Sequence, residues 1–184
     1  MQANRLSPKV VYEDKNLVVL NKPAGLLVHE VKVRTVTKSE PTLADWLVKH
    51  YPSMKKVGDD PKLRPGIVHR LDKDTSGVML AAKTKKSFEY LKSLFQKREV
   101  RKKYLAVVWG RVEREGGRID APIGIKTGSV KRKVRSGKLE KEAVTDYKTL
   151  RVGEEKSFLR SEVTLERKRA RYFLSGLFST SLNR

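Results

Sequence analysis

The stretch RPGIVHRLDKDTSGVMLAAK, residues Arg64–Lys83, decides how the rest of the chain is read. Two apolar runs, one with Ile67, Val68 and Leu71 and the other covering 78–82, flank the polar string DKDTSG. β-Branched residues bounded by turn formers predict two short strands, IVHRL and VMLAA, joined by a turn. Asp72 then stands where a strand gives way to a loop, the place from which a rigid scaffold presents a side chain into a cleft. An Asp-x-Asp-Thr string by itself predicts only turn residues whose carboxylates accept backbone N–H groups. Position alone therefore carries no catalytic claim.

Upstream, KVVYEDKNLVVLNKPAGLLVH predicts strands at Val10–Tyr12 and Leu17–Asn21 around a turn at 13–16. Lys22, Pro23 and Gly25 end the second strand. After the polar TVTKSEPT, Thr42 with Asp45 three positions on predicts a helix cap. Leu43, Trp46, Leu47 and His50 follow at helical spacing, with Trp46 expected in the core and Tyr51-Pro52 closing the helix. VGDDPKLRPG reads as a loop. Downstream, Phe88, Leu91, Leu94 and Phe95 share one helical face, with lysines on the other. KKYLAVVWGRV, AVTDYKTLRV and FLRSEVTLE read as strands, the last alternating Leu159, Ser161, Val163 and Leu165 on one side. Between 124 and 142, seven lysines and arginines against two glutamates predict a basic loop or two-stranded finger. The sum is one α+β (mixed α/β) domain over residues 1–184, with six or seven strands, at least two helices and a mixed, largely antiparallel sheet.

The bulk chemistry narrows the partners. In 184 residues there are 42 Lys and Arg against 21 Asp and Glu, a net charge of +21 that calls for a polyanion. Nucleic acid fits better than a membrane surface. There is no cysteine, and His29, His50 and His69 are scattered singly, so no metal site is expected. No run approaches the ~20 apolar residues that span a bilayer, and the N-terminus has no apolar core followed by a cleavage site. A cytoplasmic location is expected.

PGIVHRLDKDTSGVMLAAK closely resembles the motif of the RluA-like family of pseudouridine synthases. The resemblance continues through VVYEDKNLVVLNKPAGLLVH, KKYLAVVWGRV, DAPIG and EAVTDYKTL, in order, over about residues 8–166. It implies that uridine in RNA is isomerised to pseudouridine without cofactor or metal; ribosomal or transfer RNA is the expected substrate and a monomer the expected state. It places the family's essential aspartate at Asp72, the arginine that holds the flipped nucleotide at Arg70, and the base-stacking tyrosine at Tyr104. Asp72 could then bond covalently to the sugar or take a proton from it. His69 would be structural or contact RNA backbone. Extracting a base from its stack costs a few kcal/mol. Lys131, Arg132, Lys133 and Arg135 of the basic run would grip phosphates in return. No further RNA-binding module is expected ahead of residue 8.

After SEVTLE the pattern breaks. The family continues Thr-Gly-Arg-x-His-Gln-Ile-Arg, whose last arginine pairs with the aspartate, but this chain reads RKRARYFLSGLFSTSLNR and puts Leu174 there. Arg169 or Arg171 could substitute. One hypothesis is a one-base frame slip near Glu166, because codons allowed for 167–171 can spell much of the missing motif one base later. Resequencing that finds an intact frame, with no family-like sequence in another frame, ends it. The other is a diverged, incomplete C-terminal part, leaving an RNA-binding protein that keeps the cleft without the chemistry.

Overall fold

The computed structural model describes residues 6–30, 40–97, 99–125, 132–134, 138–141 and 144–163. The chain divides into two compact units, Met1–Lys97 and Arg98–Arg184.

In the first unit, β1 (Lys9–Glu13), β2 (Leu17–Lys22) and β3 (Gly77–Ala82) form an antiparallel sheet in the order β1-β2-β3. Alternate residues of a strand share a face, so Val18, Leu20 and Lys22 of β2 all turn inward and are buried. The third of these inward positions holds a lysine. Helix α1 (Leu43–His50) begins with the expected capping box: Thr42 Oγ1 accepts the Asp45 amide at 3.2 Å, and the Asp45 carboxylate accepts the Thr42 amide at 2.9 Å. It buries Leu43, Ala44 and Leu47. Trp46, expected in the core, is only half-buried and stacks on the exposed His50, ring centroids 3.9 Å apart. A 3₁₀ turn at Pro52–Lys56 follows. Helix α2 (Lys85–Lys97) packs Phe88 and Leu91 against Val57 and Ala82, with Leu94 half-buried beside them. Phe88 and Leu91, which are buried, each contribute about 1.5–3 kcal/mol by leaving water.

The run IVHRL is not the strand its composition suggests. It touches β3 through one bridge, Ile67 to Ala81, and then leaves the sheet. Gly66 allows the close approach. It sits at φ +64°, and a Cβ there would run into the Ala82 carbonyl oxygen, which is β3 backbone.

In the second unit, β4 (Lys102–Trp109), β5 (Gly116–Asp120), β6 (Ile123–Ile125), β7 (Arg132–Val134), β8 (Lys138–Lys141), β9 (Val144–Arg151) and β10 (Lys156–Val163) make two antiparallel sheets, ordered β4-β10-β9-β5 and β7-β6-β8. Val108, Thr145, Ser157 and Leu159 are buried, whereas Leu105, Val107 and Trp109 on the alternate positions of β4 are exposed. The basic run carries strands, β7 and β8, and is not a bare loop. Its two short strands pair with both edges of β6, which satisfies backbone groups on each side. The α+β class and the largely antiparallel sheets agree with the sequence reading.

Candidate active site

The turn that carries Asp72 is built from the first unit's core outward. Gly25, at φ +86°, folds the chain back after β2, and its amide donates to the Lys73 carbonyl at 2.8 Å. Lys22, carried inward by the strand register, donates from Nζ to the carbonyls of Pro23 at 2.9 Å, Leu26 at 2.8 Å and Lys73 at 3.0 Å. Three acceptors satisfy the three protons of a buried ammonium. Burial pushes the Lys22 pKa below the ordinary lysine value, and the Asp74 and Asp72 carboxylates pull it part of the way back. A cation thus lies beneath the turn that presents Asp72.

Asp72 is half-buried. Its main-chain carbonyl accepts the Thr75 amide at 3.2 Å. Among the described residues, no hydrogen bond is made to its carboxylate. The side chain is not consumed in holding the turn, contrary to the ordinary fate of an aspartate in that setting.

Two residues upstream, Arg70 Nη1 lies 3.4 Å from His29 Nε2. Arginine can only donate, so Nε2 accepts and the ring proton resides on Nδ1, which donates to the Glu30 carbonyl at 2.8 Å. Burial pushes the His29 pKa down; the Glu30 bond opposes this, and the nearby Arg64 and Arg70 charges add to the lowering. His29 is 5% exposed. Its backbone is fixed because the carbonyls of Leu27 and Val28 accept the first amides of α1, from Leu43 at 2.8 Å and Ala44 at 3.0 Å. Those amides have no partner within their own helix.

The structure therefore brings Asp72, Arg70, Lys22 and His29 into one unit. Tyr104 lies in the second unit, half-buried on the same face of β4 as Val108 and opposite Ser161 of β10. Arg132 and Lys133 lie on β7. Lys131 and Arg135 fall outside the described residues, as do Arg169, Arg171 and Leu174. Sequence reasoning passed over Lys22 and His29 as site residues. The inward alternation of Val18, Leu20 and Lys22 was the available signal for the first; the second had none beyond ending an apolar run. His69, left as structural or RNA-facing, has a structural role: its Nε2 accepts the Leu80 amide at 2.9 Å.

The model of the RNA pseudouridylate synthase family matches residues 16–171. The chain belongs to that family. Ribosomal large subunit pseudouridine synthase D of Borreliella burgdorferi is 37% identical over 141 residues, covering 77% of this chain and 42% of its own length. The protein of the same name in Pseudomonas aeruginosa is 40% identical over 148 residues, covering 80% and 43%. The chain thus spans less than half of these relatives. Among solved structures, Human RNA Pseudouridylate Synthase Domain Containing 4 matches with a TM-score of 0.62 and 29% identity, over 87% of this chain and 60% of that one. Human RNA Pseudouridylate Synthase Domain Containing 1 shares the fold, with a TM-score of 0.68 at 20% identity over 91% and 63%. The RluA-like resemblance read from the sequence is borne out. Among the described residues, no three His, Asp or Glu side chains form a group that could hold a metal ion. No helix among them is long and apolar enough to cross a membrane.

Proposed function

We propose that this chain carries the reaction centre of an RNA pseudouridine synthase and that Asp72 is its reacting carboxylate. The observation that supports this is the Asp72 side chain itself, half-buried and without a hydrogen bond among the described residues, on a turn held by other atoms. In the reaction, the bond from uracil N1 to ribose C1′ breaks. The freed base rotates, C5 bonds to C1′, and the C5 proton leaves to water. A carboxylate beside C1′ meets the positive charge that develops there, by adding to the sugar or by taking a proton from it.

The other residues hold the nucleotide. Arg70, oriented by His29, keeps the extracted uridine out of its stack. Tyr104 stacks on the base, worth about 1–3 kcal/mol. Lys131, Arg132, Lys133 and Arg135 neutralise phosphates. On this reading both units serve one catalytic domain, which works as a monomer in the cytoplasm without a cofactor. Because the relatives above are named for the large ribosomal subunit, we take a uridine of large-subunit RNA as substrate in preference to transfer RNA.

Incubating the chain with RNA tritiated at uracil C5 tests this. Label released to water from large-subunit RNA, and not from transfer RNA, is expected. No release from either by the folded chain contradicts the proposal and leaves a protein that binds RNA without isomerising it.

A further inference from the structure

The edge of β3 that faces residues 66–72 carries an unusual acceptor. Ala82 donates its amide to the Gly66 carbonyl at 2.8 Å, in register with the Ile67–Ala81 bridge. A ladder continued in that register would give the Leu80 amide the carbonyl of Val68. Instead, the Leu80 amide donates to His69 Nε2 at 2.9 Å. The His69 ring also stacks on Phe95 of α2, with centroids 4.7 Å apart and planes 18° from parallel.

We infer that His69 is a positioning residue whose imidazole replaces a backbone carbonyl on β3 and so sets where Arg70 and Asp72 leave the sheet. An acceptor at the end of a side chain keeps the backbone one side-chain length away from the strand edge. The ladder ends there without leaving the Leu80 amide unsatisfied. The chain is free to turn outward within three residues, yet remains clamped between the β3 edge and an α2 aromatic ring. Nε2 accepts, so the proton lies on Nδ1. This rests on the reading of Asp72 as the reacting group, because only then does the exit point of the strand govern turnover.

The bond can be seen directly. In the ¹⁵N-labelled chain, a through-hydrogen-bond coupling is expected between the Leu80 amide nitrogen and His69 Nε2. His69→Phe keeps a ring on Phe95 and removes the acceptor. It should speed Leu80 amide exchange about tenfold or more and move the amide signals of 70–73, with those of β1 unchanged. His69→Gln, which retains an acceptor, should recover part of both. On RNA, His69→Phe should lower the rate of tritium release by about 10–100-fold while changing RNA affinity less than about twofold. No coupling in the folded protein, or a Phe variant with unaltered Leu80 exchange and unaltered 70–73 signals, overturns the inference. Asp72→Asn that still releases tritium would instead sink the catalytic reading, with the coupling intact.

Discussion

Two turns in the first unit begin at an aspartate and are held in opposite ways. Between β1 and β2, the Asp14 carboxylate accepts the amides of Asn16 at 2.7 Å and Leu17 at 2.8 Å. Those bonds, Leu17's first, hold its pKa below the ordinary aspartate value. After Leu71, the carbonyl of Lys73 accepts from Gly25 and from Lys22, which lies 51 positions away. A distant buried lysine does for the second turn what the aspartate's own side chain does for the first. The second carboxylate is thereby left without a hydrogen bond among the described residues, as the proposed reaction requires. An aspartate in a turn is thus a structural or a reactive group according to what else can satisfy the backbone around it.

If that contrast is right, removing Lys22 should damage the second turn and spare the first. Lys22→Met fits the same volume but takes the donor from the Pro23 and Leu26 carbonyls and leaves that of Lys73 with the Gly25 amide alone, and should cost about 3 kcal/mol. Urea unfolding would measure the loss, and amide exchange should quicken at Gly25 before it does at Leu17. A stable Lys22→Met chain with Gly25 still protected would show that the lysine does not hold the turn.

The next largest effect concerns pH. His29 has a folded pKa below its unfolded value, so in mild acid the unfolded chain binds more protons. Its contribution is present above the ordinary histidine value of 6.5 and is lost as pH falls towards the folded pKa. The urea midpoint should therefore drop between about pH 7 and pH 5, and His29→Gln should flatten that limb. A limb of equal slope in the variant would assign it elsewhere.

At the first turn, the linkage belongs to carboxylates. Lys83 donates to Glu13 Oε1 and Tyr51 donates to Oε2, each at 2.7 Å, and these bonds, that of Lys83 first, lower the Glu13 pKa. Stability from this clasp is present above 4.5, the ordinary value for a glutamate carboxyl, and disappears as pH falls through the lower folded pKa. Glu13→Gln should show a smaller fall in urea midpoint between about pH 5 and pH 3 than the parent, with tritium release unchanged.

The smallest effect lies in the second unit. Replacing Arg132 and Lys133 of β7 with Ala should leave the rate at saturating RNA unaltered. The log–log dependence of RNA affinity on salt should become shallower by roughly 0.7–0.9 for each phosphate that is no longer neutralised. An unchanged slope would remove these two side chains from the RNA-binding surface.

Much of this arrangement was legible because it follows local rules. The capping box of Thr42 and Asp45, the alternation in β2 and the apolar face of α2 each obey a period or a fixed spacing. What escaped depends on atoms far apart in sequence. The strand forecast for IVHRL failed because a histidine ring takes the place of a ladder carbonyl, a substitution that hydrophobic pattern does not encode. The strand β5 was hidden behind Gly116 and Gly117. Both are there because Tyr147 of β9 lies close: a Cβ would meet its main-chain oxygen at 2.8 Å or its ring at 3.0 Å. Lys22 read as punctuation at a strand end, since only the folded turn reveals the carbonyls that bury it. Asp72 itself was legible through the family motif, but the reason its carboxylate is available was not.

The most direct test sets the two aspartates side by side. Asp72→Asn and Asp14→Asn would be compared for tritium release from large-subunit RNA in a single turnover, with folding and RNA affinity measured on the same samples. A loss of roughly 10²–10⁴-fold or more is expected for the first, with affinity retained. A rate within about twofold of the parent is expected for the second, since that carboxylate is engaged in holding its own turn, accepting two backbone amides and the Tyr12 hydroxyl. Turnover by Asp72→Asn at the parent rate, or equal losses in the two variants, would contradict the assignment of Asp72 as the reacting group.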